Sequence, residues 1–224
     1  YVSYVDKASE KRIVERLHEL LPEAGFIAEE GSGSLEEQEY CWVVDPLDGT
    51  SNYIHDCTPY CVSIALRNRE EILLGVVYEC GREELFWANK NSRAYLNGKE
   101  ICVSDQSVLD QSFIMPELPY KAERYSPFIL PLMRDLYGHV SGIRMLGSAA
   151  AELCYVAAGR FEIFIEAFLG PWDIAAGYII LKQAGGRMTD FSGNSNGPDA
   201  KEVLASNGKV HEELLKVLQR HKKL

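Results

Sequence analysis

Asp45 and Asp48 stand three residues apart at the end of an apolar run, in the stretch Trp42-Val43-Val44-Asp45-Pro46-Leu47-Asp48-Gly49-Thr50-Ser51-Asn52-Tyr53. The run into Asp45 predicts a buried strand. Pro46 breaks it, and Asp48-Gly49-Thr50 turns the chain and can open a short helix. Two carboxylates at a strand end are poorly placed for a core. They are well placed to hold hard divalent cations, which take oxygen ligands. Gly49 lets the backbone approach a ligand closely, and the amides of a helix start favour an anion. Metal-holding carboxylates beside an anion-binding turn point to hydrolysis of a phosphate ester.

Other acids can join them. Glu29 and Glu30 end the short apolar segment Phe26-Ile27-Ala28, where adjacent acids are usually solvated charge. Asp173 follows Gly170-Pro171-Trp172 and opens a long apolar helix, so it reads as an N-cap or as a carboxylate at a helix mouth. Spacing alone does not bring these groups together.

The elements that must position them follow from periodicity and punctuation. Asp6 caps a helix over 7–21 whose apolar face is Ile13, Val14, Leu17, Leu20 and Leu21, and Pro22 stops it. A strand at 26–28, a polar loop over 31–39 and the strand into Asp45 follow. Residues 60–66, 72–79 and 84–88 read as successive strands, and Asn97-Gly98 as a hairpin turn. A polar stretch near Ser104–Ser112 marks the boundary between an N-terminal half, 1–104, and a C-terminal half, 105–224. The second half predicts a strand at 112–115, a helix over 126–137 and a strand at 143–146. A small-residue helix over 149–158 closes at Gly159, and a strand follows at 161–166. A helix over 172–184 ends at Gly185-Gly186, before a strand at 202–205 and an amphipathic helix over 210–221. The first half is a helix plus a meandering sheet, while strands and helices alternate in the second, so the fold class is mixed α/β (α+β).

The 224 residues, 46% hydrophobic and 25% charged, can bury a sizeable core. A net charge of -10 argues against nucleic acid as the main partner, since phosphate backbones need basic patches. No apolar run reaches the roughly 20 residues of a membrane span. The scattered cysteines Cys41, Cys57, Cys61, Cys80, Cys102 and Cys154 lack zinc-site spacing and read as free buried thiols in a reducing cytoplasm. The first residue is Tyr1, and the natural N-terminus is expected to lie upstream.

Four segments, in order, resemble the inositol monophosphatase family. Asp45-Pro46-Leu47-Asp48-Gly49-Thr50 with Ser51-Asn52-Tyr53 is similar to its first signature. Trp172-Asp173-Ile174-Ala175-Ala176-Gly177 through Ala184-Gly185-Gly186 is similar to its second. Phe26-Ile27-Ala28-Glu29-Glu30 resembles its acidic segment, and Gly147-Ser148-Ala149-Ala150 its sugar-side loop. The resemblance implies a layered αβαβα sandwich, a further N-terminal helix and a cytoplasmic homodimer. It implies a magnesium-dependent, lithium-sensitive phosphomonoesterase, with manganese as a substitute ion. Glu29, Asp45 and the Leu47 carbonyl would hold one magnesium, Asp45, Asp48 and Asp173 a second, and Glu29 a third, weaker one. Asp6 would be a water-mediated neighbour. Glu29 and Thr50, the latter passing its proton to Asp48, would activate the attacking water.

On the same resemblance the Gly49 and Thr50 amides would hold phosphate. Asp48, Asp173, Glu166 and the loop Gly147, Ser148 and Ala149 would contact the rest of the substrate, with Glu166 taking its hydroxyls. Inositol 1-phosphate or a related polyol or sugar phosphate is the expected substrate. Fructose-1,6-bisphosphate and 3'-phosphoadenosine-5'-phosphate are the alternatives within the superfamily, and a non-catalytic regulatory partner is the alternative outside it. Asp56-Cys57-Thr58-Pro59 and Met115-Pro116-Glu117-Leu118 depart from the family pattern, which bears on substrate preference.

Overall fold

A computed structural model describes residues 4–32, 38–119, 121–195 and 197–222. The chain folds into five layers, helix–sheet–helix–sheet–helix. The first sheet has seven strands in chain order: β1 (Gly25–Ala28), β2 (Tyr40–Asp48), β3 (Cys61–Asn68), β4 (Ile72–Glu79), β5 (Glu84–Asn89), β6 (Ala94–Leu96) and β7 (Lys99–Ile101). Only β1 and β2 run parallel; the rest is an antiparallel meander. The second sheet is ordered β11-β12-β10-β8-β9, from β8 (Phe113–Pro116), β9 (Gly142–Ile143), β10 (Ile163–Ala167), β11 (Arg187–Thr189) and β12 (Glu202–Ser206).

Period-two alternation along the strands sorts side chains between layers. On β2, Trp42 and Val44 face α1 (Tyr4–Leu20), while Val43 faces the central layer. On β10, Phe164 points to that layer, and Ile163 and Ile165 point to the outer helices α3 (Ala122–Leu136) and α6 (His211–Lys222). The central layer is α4 (Ala149–Ala157) and α5 (Pro171–Gln183), packed between the sheets. Every residue of α4 is buried, which suits its run of small and apolar side chains. The two helices approach so closely that a Cβ on Gly177 would lie 2.7 Å from Leu153 Cβ.

Several sequence expectations are corrected. Asp6 lies inside α1, where it is buried, and is not its cap. The third helix starts at Ala122 and carries both Pro127 and Pro131. Two interior prolines cost about 3 kcal/mol each. The buried stripe Tyr125, Phe128, Ile129, Leu132 and Leu136 offsets that at about 1.5–3 kcal/mol per side chain. The strand expected at 143–146 is only Gly142–Ile143, and that expected at 161–166 begins at Ile163. Residues 33–37 of the expected polar loop lie outside the described residues. The cysteines are free, but Cys57 and Cys102 are exposed. Asn97 and Gly98 form the anticipated turn, both at positive φ, between paired β6 and β7. Among the described residues, no helix is long and apolar enough to cross a membrane.

Candidate active site

In a regular strand, residues three apart point to opposite faces, which would separate Asp45 from Asp48. The pairing of β2 with β3 shifts register between these two residues, and the resulting bulge re-aims Asp48. Their carboxylates then converge with that of Asp173, with one oxygen from each lying within 4.8 Å of the others. Asp45 is 1% exposed, and its Oδ1 accepts the Leu47 amide at 2.9 Å. Parallel pairing sets Ala28 beside Val44, which carries the next residue, Glu29, to the side of Asp45, with which it shares a hydrogen bond. Asp173 is the third residue of α5. It is not the N-cap; its Oδ2 reaches back to accept the Gly170 amide at 2.7 Å. It therefore caps the helix and joins the cluster.

Packing four carboxyls this closely raises their proton affinities. Burial is the largest cause at each. Asp45 is pushed well above the usual carboxylate range, with the charges of Asp48, Glu29 and Asp173 adding to burial. Asp173 is pushed up to about 8 by burial and then by the charge of Asp48. Glu29 rises to about 7 by burial, partly countered by its bond to Asp45. Asp48 is also raised, against hydrogen bonds from Ser148 and the Ala150 amide. A divalent cation would remove this repulsion, and the donors are all oxygen, so the residues present fit magnesium or manganese.

The Oδ2 of Asp48 is fully engaged. It accepts Ser148 Oγ at 2.6 Å, the Ala150 amide at 2.8 Å and Cys61 Sγ at 3.6 Å. Ser148 is thus buried, with its hydroxyl directed at Asp48. Thr50 opens the short helix α2 (Thr50–Ile54), and its hydroxyl also departs from expectation. It lies 3.0 Å from Asp6 Oδ1 and 3.0 Å from the Leu47 carbonyl, so its carboxylate partner is Asp6 and not Asp48. Gly49, at φ 86°, makes the turn into α2. A Cβ there would lie 3.0 Å from the Pro59 carbonyl and 3.3 Å from that of Gly147.

These residues open onto a cavity of about 390 Å³. Glu29, Asp45, Leu47, Asp48, Gly49, Thr50, Gly147, Ala149, Glu166 and Asp173 line it, and Ser148 does not. The structure adds Glu117 and Phe168 to its wall. Glu166 is half-buried and held well above the carboxylate range by burial, then by the charges of Glu117 and Asp48. Phe168 is 42% exposed, with the Lys121 ammonium 4.2 Å from its ring centroid. A second addition lies beneath the site: Glu10 of α1, 1% exposed, accepts the amides of Glu30 and Ser32 and holds the turn after Glu29. A buried acid mid-helix looks like surface charge in sequence, so Glu10 did not announce itself, while Asp6 was expected as a neighbour of the metals and not as the partner of Thr50.

A carboxylate cluster at a strand bulge, capped by helix starts from a central helical layer, defines a phosphatase architecture. The chain belongs to the inositol monophosphatase family, whose model matches residues 1–223. It is 37% identical over 226 residues to the Nus factor SuhB of Pseudomonas aeruginosa, covering 99% of this chain and 83% of that protein. It is 36% identical over 221 residues to the inositol-1-monophosphatase of Mesorhizobium japonicum, covering 98% and 83%. Among solved structures, the extragenic suppressor protein suhB from Bartonella henselae superposes with a TM-score of 0.93 at 36% identity, covering 98% of this chain and 85% of that one.

Proposed function

We propose that this protein hydrolyses a phosphate monoester of a polyol, inositol 1-phosphate or a close relative, in a magnesium-dependent reaction. The observation that carries this is the convergence of Asp45, Asp48 and Asp173 within 4.8 Å beside the turn at Gly49 and Thr50. Asp45, Asp48, Asp173, Glu29 and the Leu47 carbonyl would hold two or three magnesium ions, which acidify water and stabilise charge on the phosphate and leaving oxygens.

The chain's own groups supply the rest. Thr50 Oγ1 is placed to accept a proton from the attacking water while donating its own to Asp6, 3.0 Å away. Glu29, at the open side of the cluster, orients the same water. The Gly49 and Thr50 amides, at a turn that faces the cavity, hold phosphate oxygens. Glu166, on the far wall, hydrogen-bonds substrate hydroxyls. Cavity volume suits one phosphorylated ring better than a large polymer, and the net charge of -10 disfavours nucleic acid as substrate.

Phosphate release from inositol 1-phosphate, fructose-1,6-bisphosphate and 3'-phosphoadenosine-5'-phosphate tests this. Turnover should need magnesium or manganese, stop with chelator and fall with lithium, and inositol 1-phosphate should be used best. Full turnover in chelator would sink the metal assignment. A second reading comes from the relative named Nus factor SuhB: the fold would serve a partner in the transcription machinery. A wild-type protein inert on every phosphate ester would favour that role over catalysis.

A further inference from the structure

Glu117 of the cavity wall and Glu152 behind it form a second pair of acids that the chemistry above does not use. Glu117 follows β8 and is 7% exposed; Glu152, on the first turn of α4, is 0% exposed. They come from elements far apart in sequence, and their carboxyl groups meet in the interior. Each also accepts one backbone amide from the loop that forms the cavity's sugar side. Glu117 Oε1 takes Leu146 N–H at 2.7 Å, and Glu152 Oε2 takes Ser148 N–H at 3.3 Å. The two amides flank Gly147, which sits at φ 74°. From Ser148 the chain of contacts continues to Asp48, through the 2.6 Å bond from Ser148 Oγ to Asp48 Oδ2.

The remaining oxygen decides the chemistry of the pair. Glu152 Oε1 is buried and, among the described residues, receives no hydrogen bond from any donor. A carboxylate oxygen left so would be a charge in a dry interior with nothing to compensate it. Two ionised carboxylates in contact there repel strongly, so one of them keeps its proton. With Oε2 occupied by the Ser148 amide, Glu152 Oε1 is the oxygen free to carry it. The bland account, that Glu152 is an ordinary helix-start carboxylate reaching back to Ser148, leaves Oε1 unexplained.

We propose that Glu117 and Glu152 form a buried carboxyl–carboxylate pair sharing one proton, and that this pair is a positioning device for the active site. It clamps the Leu146–Ser148 loop at two amides and, through Ser148, sets the orientation of the Asp48 carboxylate. The proposal rests on the phosphatase reading for its activity arm only. Neither acid reaches the metal cluster itself, so both act through other residues.

Three variants test it in the magnesium-loaded protein. Glu152→Gln keeps an acceptor for Ser148 N–H and supplies a permanent N–H toward Glu117, so it should hold kcat and the magnesium activation constant within about threefold of wild type. Glu152→Met matches the volume but neither accepts nor donates strongly. It should lower kcat tenfold or more and weaken magnesium activation by a similar factor, while the melting temperature stays within a few degrees. A purely structural role for Glu152 predicts instead that stability falls and that Gln and Met variants lose activity in step. Glu117→Gln should resemble Glu152→Gln, since one donor between the side chains is retained.

The infrared spectrum provides an arm independent of turnover and of whether Glu152→Met folds. With magnesium bound at neutral pH, the spectrum of wild type minus that of Glu152→Gln should show the C=O stretch of one protonated carboxylic acid, and the same difference should persist when both proteins carry Glu166→Gln. Absence of that band from the difference spectrum overturns the shared proton. Full activity in a folded Glu152→Met overturns the positioning role. A wild type that hydrolyses no ester defeats the phosphatase reading and leaves the infrared result to decide the pair.

Discussion

Replacing Asp173 with Asn should stabilise the metal-free protein. Asn keeps the shape and the Oδ1 needed to accept the Gly170 amide, so the cap on α5 survives. What it removes is a charge that the fold resists. The Asp173 carboxyl rises from its ordinary 3.8 to about 8, chiefly through burial and then the charge of Asp48. A carboxyl whose folded pKa is raised favours folding fully below pH 3.8, and that contribution is lost as pH climbs through 8. At pH 7, with each pKa unit equal to about 1.36 kcal/mol, the cost to wild type is at most about 4 kcal/mol. Access of water at the cavity, and sharing of the repulsion with Asp48, bring the expected gain to about 2 kcal/mol. For a chain of this size that is a rise of about 4–8 °C in melting temperature. Thermal unfolding in chelator at pH 7 and at pH 4.5 reads it: the gain at the lower pH should be about a quarter of that at the higher. Magnesium should then stabilise wild type more than the variant, and the variant should lose turnover. A less stable variant, or a gain independent of pH, would refute the electrostatic account.

Asp6→Asn keeps an acceptor for the Thr50 hydroxyl but not a proton sink; kcat should fall about a hundredfold with KM little changed, and combining it with Thr50→Val should add almost nothing. Glu166→Leu should reduce kcat/KM for inositol 1-phosphate about tenfold, the value of a hydrogen bond or two, and leave a small aryl phosphate nearly unaffected; equal losses on both would mean a disturbed metal site. His211, fully buried between Thr189 Oγ1 at 3.0 Å and Ser206 Oγ at 2.8 Å, is pushed down to about 4, mainly by burial. Its contribution to stability is therefore complete above pH 6.5 and lost as pH falls toward 4, by about 3 kcal/mol at most; denaturant melts of wild type and His211→Gln should converge across that window.

Asp45 and Asp48 were legible because their signals are local, while Glu29 and Asp173 joined them only through the resemblance to the family. Pro46 and Gly49 interrupt an apolar run beside Asp45 and Asp48, and a glycine–proline turn precedes Asp173. Contacts that cross the fold were not legible. Thr50 and Asp6 are 44 residues apart, and their elements meet only because α1 packs on β2. Asp48 was the nearer candidate in sequence, but the bulge turns its Oδ2 toward Ser148 and the Ala150 amide. The start of α3 was missed for a different reason. Pro127 reads locally as the first turn of a helix, where proline is favoured, and only packing of the stripe that begins at Tyr125 shows that the helix starts a turn earlier.

The same crossings explain how one cavity can be shared between two sheets without loosening. Asn52, just inside α2, donates from Nδ2 to the Pro59 carbonyl at 2.7 Å and to the Leu146 carbonyl at 2.6 Å. Leu146 in turn gives its amide to Glu117, whose own amide bonds the Ile165 carbonyl on β10. A continuous chain of hydrogen bonds thus runs from the turn beside the carboxylates, through the sugar-side loop, to the strand that delivers Glu166. Gly49 lets the two sides close, since any Cβ there would press on the Pro59 and Gly147 carbonyls. The acids destabilise the fold when unpaired, so they need a frame that does not relax around them. Buried amide and carboxyl contacts supply that rigidity where an apolar wall could not fix the loop's orientation.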